Sequence, residues 1–151
     1  MKASRLLSFI LLAAISFCAY ARKVVTALSP DKQTTVSVTL SDRIYYDVVS
    51  HGETLLKQSV IGMQLNDRTL GANPVLKRKS VRNVKETVTP LLPLKFSQVD
   101  NNYTLLTLNM KGNYAVEFRI YNDGVAFRMT TSLPGEIEVM QENTKIGRAH
   151  V

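Results

Sequence analysis

The chain has 151 residues, a formal charge of +7, 45% hydrophobic residues, one cysteine, two histidines and no tryptophan. That length suits one domain with a real core, and so few cysteines and histidines exclude a disulfide scaffold or a thiolate zinc centre. Without Lys2, Arg5 and Arg148, which lie near the two ends, the charge falls to +4, too little to argue for nucleic-acid binding.

Residues 1–21 read as a signal peptide. Lys2 and Arg5 form a positive start, Leu6 to Phe17 is almost wholly apolar, and Ala19-Tyr20-Ala21 is a small-x-small cleavage site. Cleavage is expected after Ala21, which removes Cys18 and implies a secreted or periplasmic protein. The apolar run is shorter than the roughly 18 residues of a spanning helix, so no membrane span is expected after cleavage. A lipoprotein signal would need a small residue where Phe17 precedes Cys18.

From Arg22 onward the hydrophobic period is two. Val24 to Leu28 is a first strand, stopped by Ser29-Pro30-Asp31-Lys32. Thr34 to Leu40 alternates, Ser41-Asp42 turns the chain, and Ile44 to Val49 continues to a turn at His51-Gly52. Glu53 to Lys57 and Val60 to Leu65 are two short strands, with Gly62 allowing a bulge or close packing. Asn66 to Pro74 reads as a loop. Val75 to Val88 is polar and basic and reads as one or two loosely paired strands. Thr89-Pro90-Leu91-Leu92-Pro93 is a rigid connector, because each proline removes a ladder donor. Leu94 to Val99 resumes the strand pattern, Asp100-Asn101-Asn102 turns, and Tyr103 to Met110 is a long strand.

Gly112-Asn113 leads into the clearest hairpin, Tyr114 to Met129. Asp123-Gly124 suits a type I′ turn, which needs φ > 0 at both central residues. That turn puts Ile120 opposite Phe127 and Phe118 opposite Met129, and it sets Arg119 directly against Arg128 on the polar face with Glu117 and Tyr121. Ser132 to Gly135 ends the hairpin, and Ile137 to Met140 starts one more strand. Residues 146–151, Ile-Gly-Arg-Ala-His-Val, resemble translated sequencing-adapter DNA and read as a non-native tail. With no amphipathic helix and a turn every eight to twelve residues, the fold class is all-β, an antiparallel sandwich, with a barrel as the alternative.

Catalytic and metal motifs are sparse. His51 sits at a turn and His150 in the tail, and zinc normally takes three or four ligands. Glycoside hydrolysis needs two carboxylates across a sugar. Glu136 and Glu138 share a strand face and Asp42, Asp47 and Asp67 lie near turns, but no pair stands out. Lys77-Arg78-Lys79-Ser80-Val81-Arg82 with Lys85 could bind a polyanion; a charged edge that discourages sheet aggregation is the favoured reading. Two arginines facing each other repel, so Arg119 and Arg128 imply either an intervening acid such as Glu117 or a negative docking partner.

Val116-Glu117-Phe118-Arg119-Ile120-Tyr121-Asn122-Asp123-Gly124-Val125-Ala126-Phe127-Arg128 resembles a stretch of the amino-terminal domain of glycoside hydrolase family 97. Ser29-Pro30-Asp31, Ile44 to Val48, Ser59 to Leu65 and Leu70-Gly71 agree in order, so the resemblance covers about Val25 to Met140. It implies that residues 22–145 form an incomplete amino-terminal β-sandwich, part of a galactose-mutarotase-like β-super-sandwich. The parent would be a secreted or periplasmic α-glucosidase or α-galactosidase with a (β/α)8 catalytic barrel and a calcium ion. The catalytic residues and calcium ligands would lie downstream, so no catalytic, cofactor or metal residue is assigned to this chain. Its partners would be that barrel and, through the whole enzyme, an oligosaccharide. Arg119 and Arg128 are the expected docking face, and an independent carbohydrate-binding module is the alternative function.

Overall fold

A computed structural model describes residues 22–89, 91 and 97–145. The signal peptide with Ala21, the 146–151 tail and residues 94–96 of the strand expected over 94–99 lie outside the described residues. Eleven strands are described: β1 Lys23–Leu28, β2 Thr34–Leu40, β3 Ile44–Ser50, β4 Glu53–Ile61, β5 Met63–Leu65, β6 Thr69–Leu70, β7 Leu76–Val88, β8 Val99–Met110, β9 Tyr114–Ile120, β10 Val125–Thr131 and β11 Val139–Glu142. They form a first sheet in order β1-β2-β3-β4, a second in order β10-β9-β8-β7 and a three-stranded sheet β11-β5-β6, with every pairing antiparallel.

Alternation decides which face is buried. Val36, Val38 and Leu40 of β2 and Ile44, Tyr46 and Val48 of β3 turn toward Leu106, Leu108 and Met110 of β8 and Val116, Phe118 and Ile120 of β9. β1 lies over β8 and β2 over β9, so the two larger sheets make the sandwich. The Tyr46 ring crosses it, with its centroid 5.6 Å from those of both Phe118 and Phe127. Burial raises the Tyr46 hydroxyl above its ordinary pKa, outweighing a hydrogen bond with Ser59.

Several local expectations are corrected. β4 is a single strand from Glu53 to Ile61 that contains a bulge, at which Gln58 takes φ 50° and its N–H donates to the Asp47 carboxylate at 2.8 Å. The Asn66–Pro74 loop contains β6. Residues 76–88 form one long strand, and Asp100-Asn101-Asn102 lie inside β8 instead of turning. Pairing with β7 along its whole length explains this: Asn101 donates to Glu86 at 2.6 Å and Thr87 to Asp100 at 3.2 Å across the ladder. The last strand begins at Val139 rather than Ile137.

The β9–β10 register also differs from expectation. Ile120 pairs with Val125, Phe118 with Phe127 and Val116 with Met129. Tyr121 N–H donates to the Gly124 carbonyl at 2.8 Å, leaving Asn122 and Asp123 at the centre of the turn, and neither Asp123 nor Gly124 takes a positive φ. The shift is two residues, so the faces are preserved while every cross-strand partner changes.

Glycine is required at Gly71. Its φ is +89°, and a Cβ there would lie 2.7 Å from the Ile61 carbonyl oxygen. This close approach lets β6 return beside the end of β4, and Gly71 N–H donates to the buried Tyr114 hydroxyl at 3.3 Å.

Candidate functional site

Arg119 and Arg128, the expected docking residues, both lie on the outer face of the second sheet, but they do not oppose each other. Arg128 faces Glu117 and Arg119 faces Ala126. Arg128 Nε donates to Glu117 Oε2 at 2.6 Å, with the glutamate side chain 17% exposed and the arginine side chain 60% exposed. The expected repulsion is therefore replaced by an ion pair inside the hairpin.

Arg119 has a different environment. Its guanidinium carbon lies 5.1 Å from the centroid of Tyr103, within cation–π range. Tyr103 packs in turn on Tyr121 with centroids 5.2 Å apart. A hydrogen bond with Tyr121 and the neighbouring Tyr103 raise the Arg119 pKa. A shallow cleft of about 260 Å³ is lined by Glu117, Arg119, Ala126, Phe127 and Arg128.

The basic run falls on β7, at the edge of the same sheet. Its register makes Arg82 a cross-strand neighbour of Leu105, whose other neighbour is Arg119. Sequence reasoning linked Arg119 with Arg128 through parity alone and missed Arg78 and Arg82, because their place on this face depends on a long-range register. The alternation Arg78-x-Ser80-x-Arg82 was the available signal.

The acidic residues serve mainly local geometry. Asp31 accepts from Ser29 Oγ at 2.5 Å and from Gln33 N–H at 3.0 Å, and these bonds, the Ser29 bond first, hold its pKa below the ordinary 3.8. Asp42 is lowered chiefly by Ser41 and Asp67 chiefly by Arg68. Asp47 secures the β4 bulge. Glu136 and Glu138 are exposed and precede β11. His51 occupies a turn with φ 52°, and its Nδ1 lies 3.0 Å from Ser50 Oγ. Among the described residues no three His, Cys, Asp or Glu side chains cluster as metal ligands.

Residues 28–147 match the family model described as glycosyl-hydrolase 97 N-terminal. A retaining alpha-galactosidase of Bacteroides thetaiotaomicron is 35% identical over 138 residues, which is 90% of this chain and 21% of that relative. The crystal structure of a beta-arabinopyranosidase superposes with a TM-score of 0.72 and 27% identity, covering 81% of this chain and 21% of the other. A glycoside hydrolase family 97 enzyme from Pseudoalteromonas sp. strain K8, in complex with acarbose, shares the fold with a TM-score of 0.69 at 17% identity, covering 80% and 20%. The chain thus spans about a fifth of the length of each of these proteins.

Proposed function

The chain belongs to the glycosyl-hydrolase 97 N-terminal family, and from that premise we propose that it is the non-catalytic front domain of a secreted or periplasmic glycoside hydrolase. The substrate class is α-galactosides or α-glucosides, supported by the 35% identity to a retaining alpha-galactosidase. The domain acts as a rigid β scaffold for a catalytic (β/α)8 barrel, and carbohydrate contact, where it occurs, is made through the whole enzyme. Calcium on this reading is held by the rest of the polypeptide, and no step is routed through the residues described here.

The observation that carries the non-catalytic role is the employment of the carboxylates. Asp31, Asp42 and Asp47 hold turns and a bulge, Asp67 and Glu117 pair with arginines, and Glu86 and Asp100 brace the β7–β8 ladder. Seven of the twelve carboxylates are thus committed to local structure, which supports a scaffold role. Location outside the cytoplasm rests on the signal-like residues 1–21.

The test is an assay of the chain with aryl α-galactosides and aryl α-glucosides, followed by titration with galacto- and malto-oligosaccharides. No hydrolysis and no saturable binding are expected. Turnover overturns the non-catalytic role, and saturable binding favours an independent carbohydrate-binding module.

A further inference from the structure

Deepening that reading, and resting on it for the identity of the partner, the geometry points to the outer face of the second sheet as a docking surface for an acidic domain of the same polypeptide, with Arg82 and Arg119 as its anchors. The first sheet packs on the opposite face, through Leu106, Leu108, Val116 and Phe118. On the outer face the registers set Arg82, Leu105, Arg119 and Ala126 in one row across all four strands.

Cations predominate here, although the face also carries Glu86, which accepts from the Asn101 side chain at 2.6 Å. Glu117 is engaged by Arg128, while Arg78, Arg82 and Arg119 form no ion pair among the described residues, which include every Asp and Glu of the chain. The type of cation is also sorted. Arg78, Arg82, Arg119 and Arg128 lie on this face, with Lys77 bordering it at the β7 bulge, whereas Lys79 and Lys85 point to the other side of β7. Guanidinium suits bidentate carboxylate recognition and is favoured at interfaces, where ammonium is depleted. Between the arginines lie Tyr103 and Leu105, which are only 5% and 7% exposed, with the Arg119 guanidinium over the Tyr103 ring. Arginine and tyrosine around a dry centre is the composition of an interface hot spot.

The area suits a linked domain. Four strands about 4.8 Å apart and four rows about 6.8 Å apart make roughly 500 Å², hence about 1,000 Å² buried on both partners together. That falls within the roughly 600–1,500 Å² of domain contacts within one chain and below the roughly 1,200–2,000 Å² of stable complexes between separate proteins. A linked domain bearing carboxylates satisfies both the size and the sign.

The test uses a chimera in which this chain replaces the matching fifth of the Bacteroides thetaiotaomicron alpha-galactosidase. Arg82→Glu/Arg119→Glu should split or lower its melting transition, while Lys79→Glu/Lys85→Glu, the same charge change on the other side of the sheet, should leave it in place. Equal effects of the two pairs overturn the proposal. If the chimera does not assemble, amide spectra of the full chain during titration with poly-L-glutamate decide. The shifts should map to Arg82, Leu105 and Arg119, and the arginine variant should bind about tenfold more weakly, as expected for two exposed charge-assisted contacts. No shift at this face, or tighter binding of polygalacturonate than of polyglutamate, overturns it. Either failure leaves the hydrolysis assay and the family assignment standing.

Discussion

The Asn122 side-chain oxygen, in the β9–β10 turn, accepts a hydrogen bond at 3.2 Å from the backbone N–H of Asp31, in the β1–β2 turn 91 residues earlier. The two turns belong to opposite sheets, so this bond fastens the sandwich at one end, helped by a contact of 3.5 Å from Thr34 Oγ1 to the Asn122 carbonyl. Asn122→Ala should cost about 0.5–1 kcal/mol, the lower part of the range for a hydrogen bond at a wet surface. Urea unfolding should show an earlier midpoint with an unchanged slope.

Gly71 and Gly124 should respond very differently to alanine. At Gly71 the new Cβ meets the Ile61 carbonyl at 2.7 Å with φ +89°, whereas at Gly124 nothing lies within 4 Å and φ is not positive. Gly71→Ala should cost at least about 2 kcal/mol through backbone strain and a clash with no flexible atom to yield. Gly124→Ala should stay within about 0.5 kcal/mol of the parent. Paired thermal melts check both, and a large loss at Gly124 would restore the type I′ turn.

Phe118 is fully buried and meets both Tyr46 and Phe127. Phe118→Ala should cost about 3–5 kcal/mol, a large share of the roughly 5–15 kcal/mol that holds an ordinary domain together. A chain that keeps its near-ultraviolet tyrosine signal after this change would contradict the packing.

A double-mutant cycle distinguishes the two hairpin registers. Glu117 and Arg128 should couple by about 0.5 kcal/mol, a usual value for a largely exposed pair. Arg119 and Arg128 should not couple measurably, because Ala126 is the residue opposite Arg119.

Acid should loosen the β1–β2 turn. Asp31 has a pKa depressed from 3.8 by its Ser29 and Gln33 hydrogen bonds. Its folded carboxylate therefore stabilises the protein above the unfolded value, and that contribution is lost as pH falls from 3.8 through the lower folded value. Melting temperatures measured downward from pH 5 should fall less steeply in Asp31→Asn than in the parent.

Strands whose pattern is set by their own residues were legible in the sequence. β2 has the boundaries expected from Val36, Val38 and Leu40 alternating with Ser37 and Thr39. What depends on a distant partner was not legible. Asp100-Asn101-Asn102 has turn composition, yet β7 supplies a ladder partner for each of the three residues. The Asp123-Gly124 cue gave the right faces and the wrong pairs, because Asn122 and Asp123 take the centre of the turn. For the same reason one edge of the arginine face was readable from the hairpin, while Arg78 and Arg82 became visible only through the register of β7 on β8.

The three-stranded sheet carries a consequence for synthesis. β11 pairs with β5, and Val60 and Lys145 exchange both backbone hydrogen bonds, at 2.9 and 3.1 Å. Eighty-odd residues separate these partners, and β10 ends at Thr131, so the two larger sheets have all their strands about fourteen residues before this seam can zip. Until residue 145 is in place, the flank of β5 stays open to neighbouring chains.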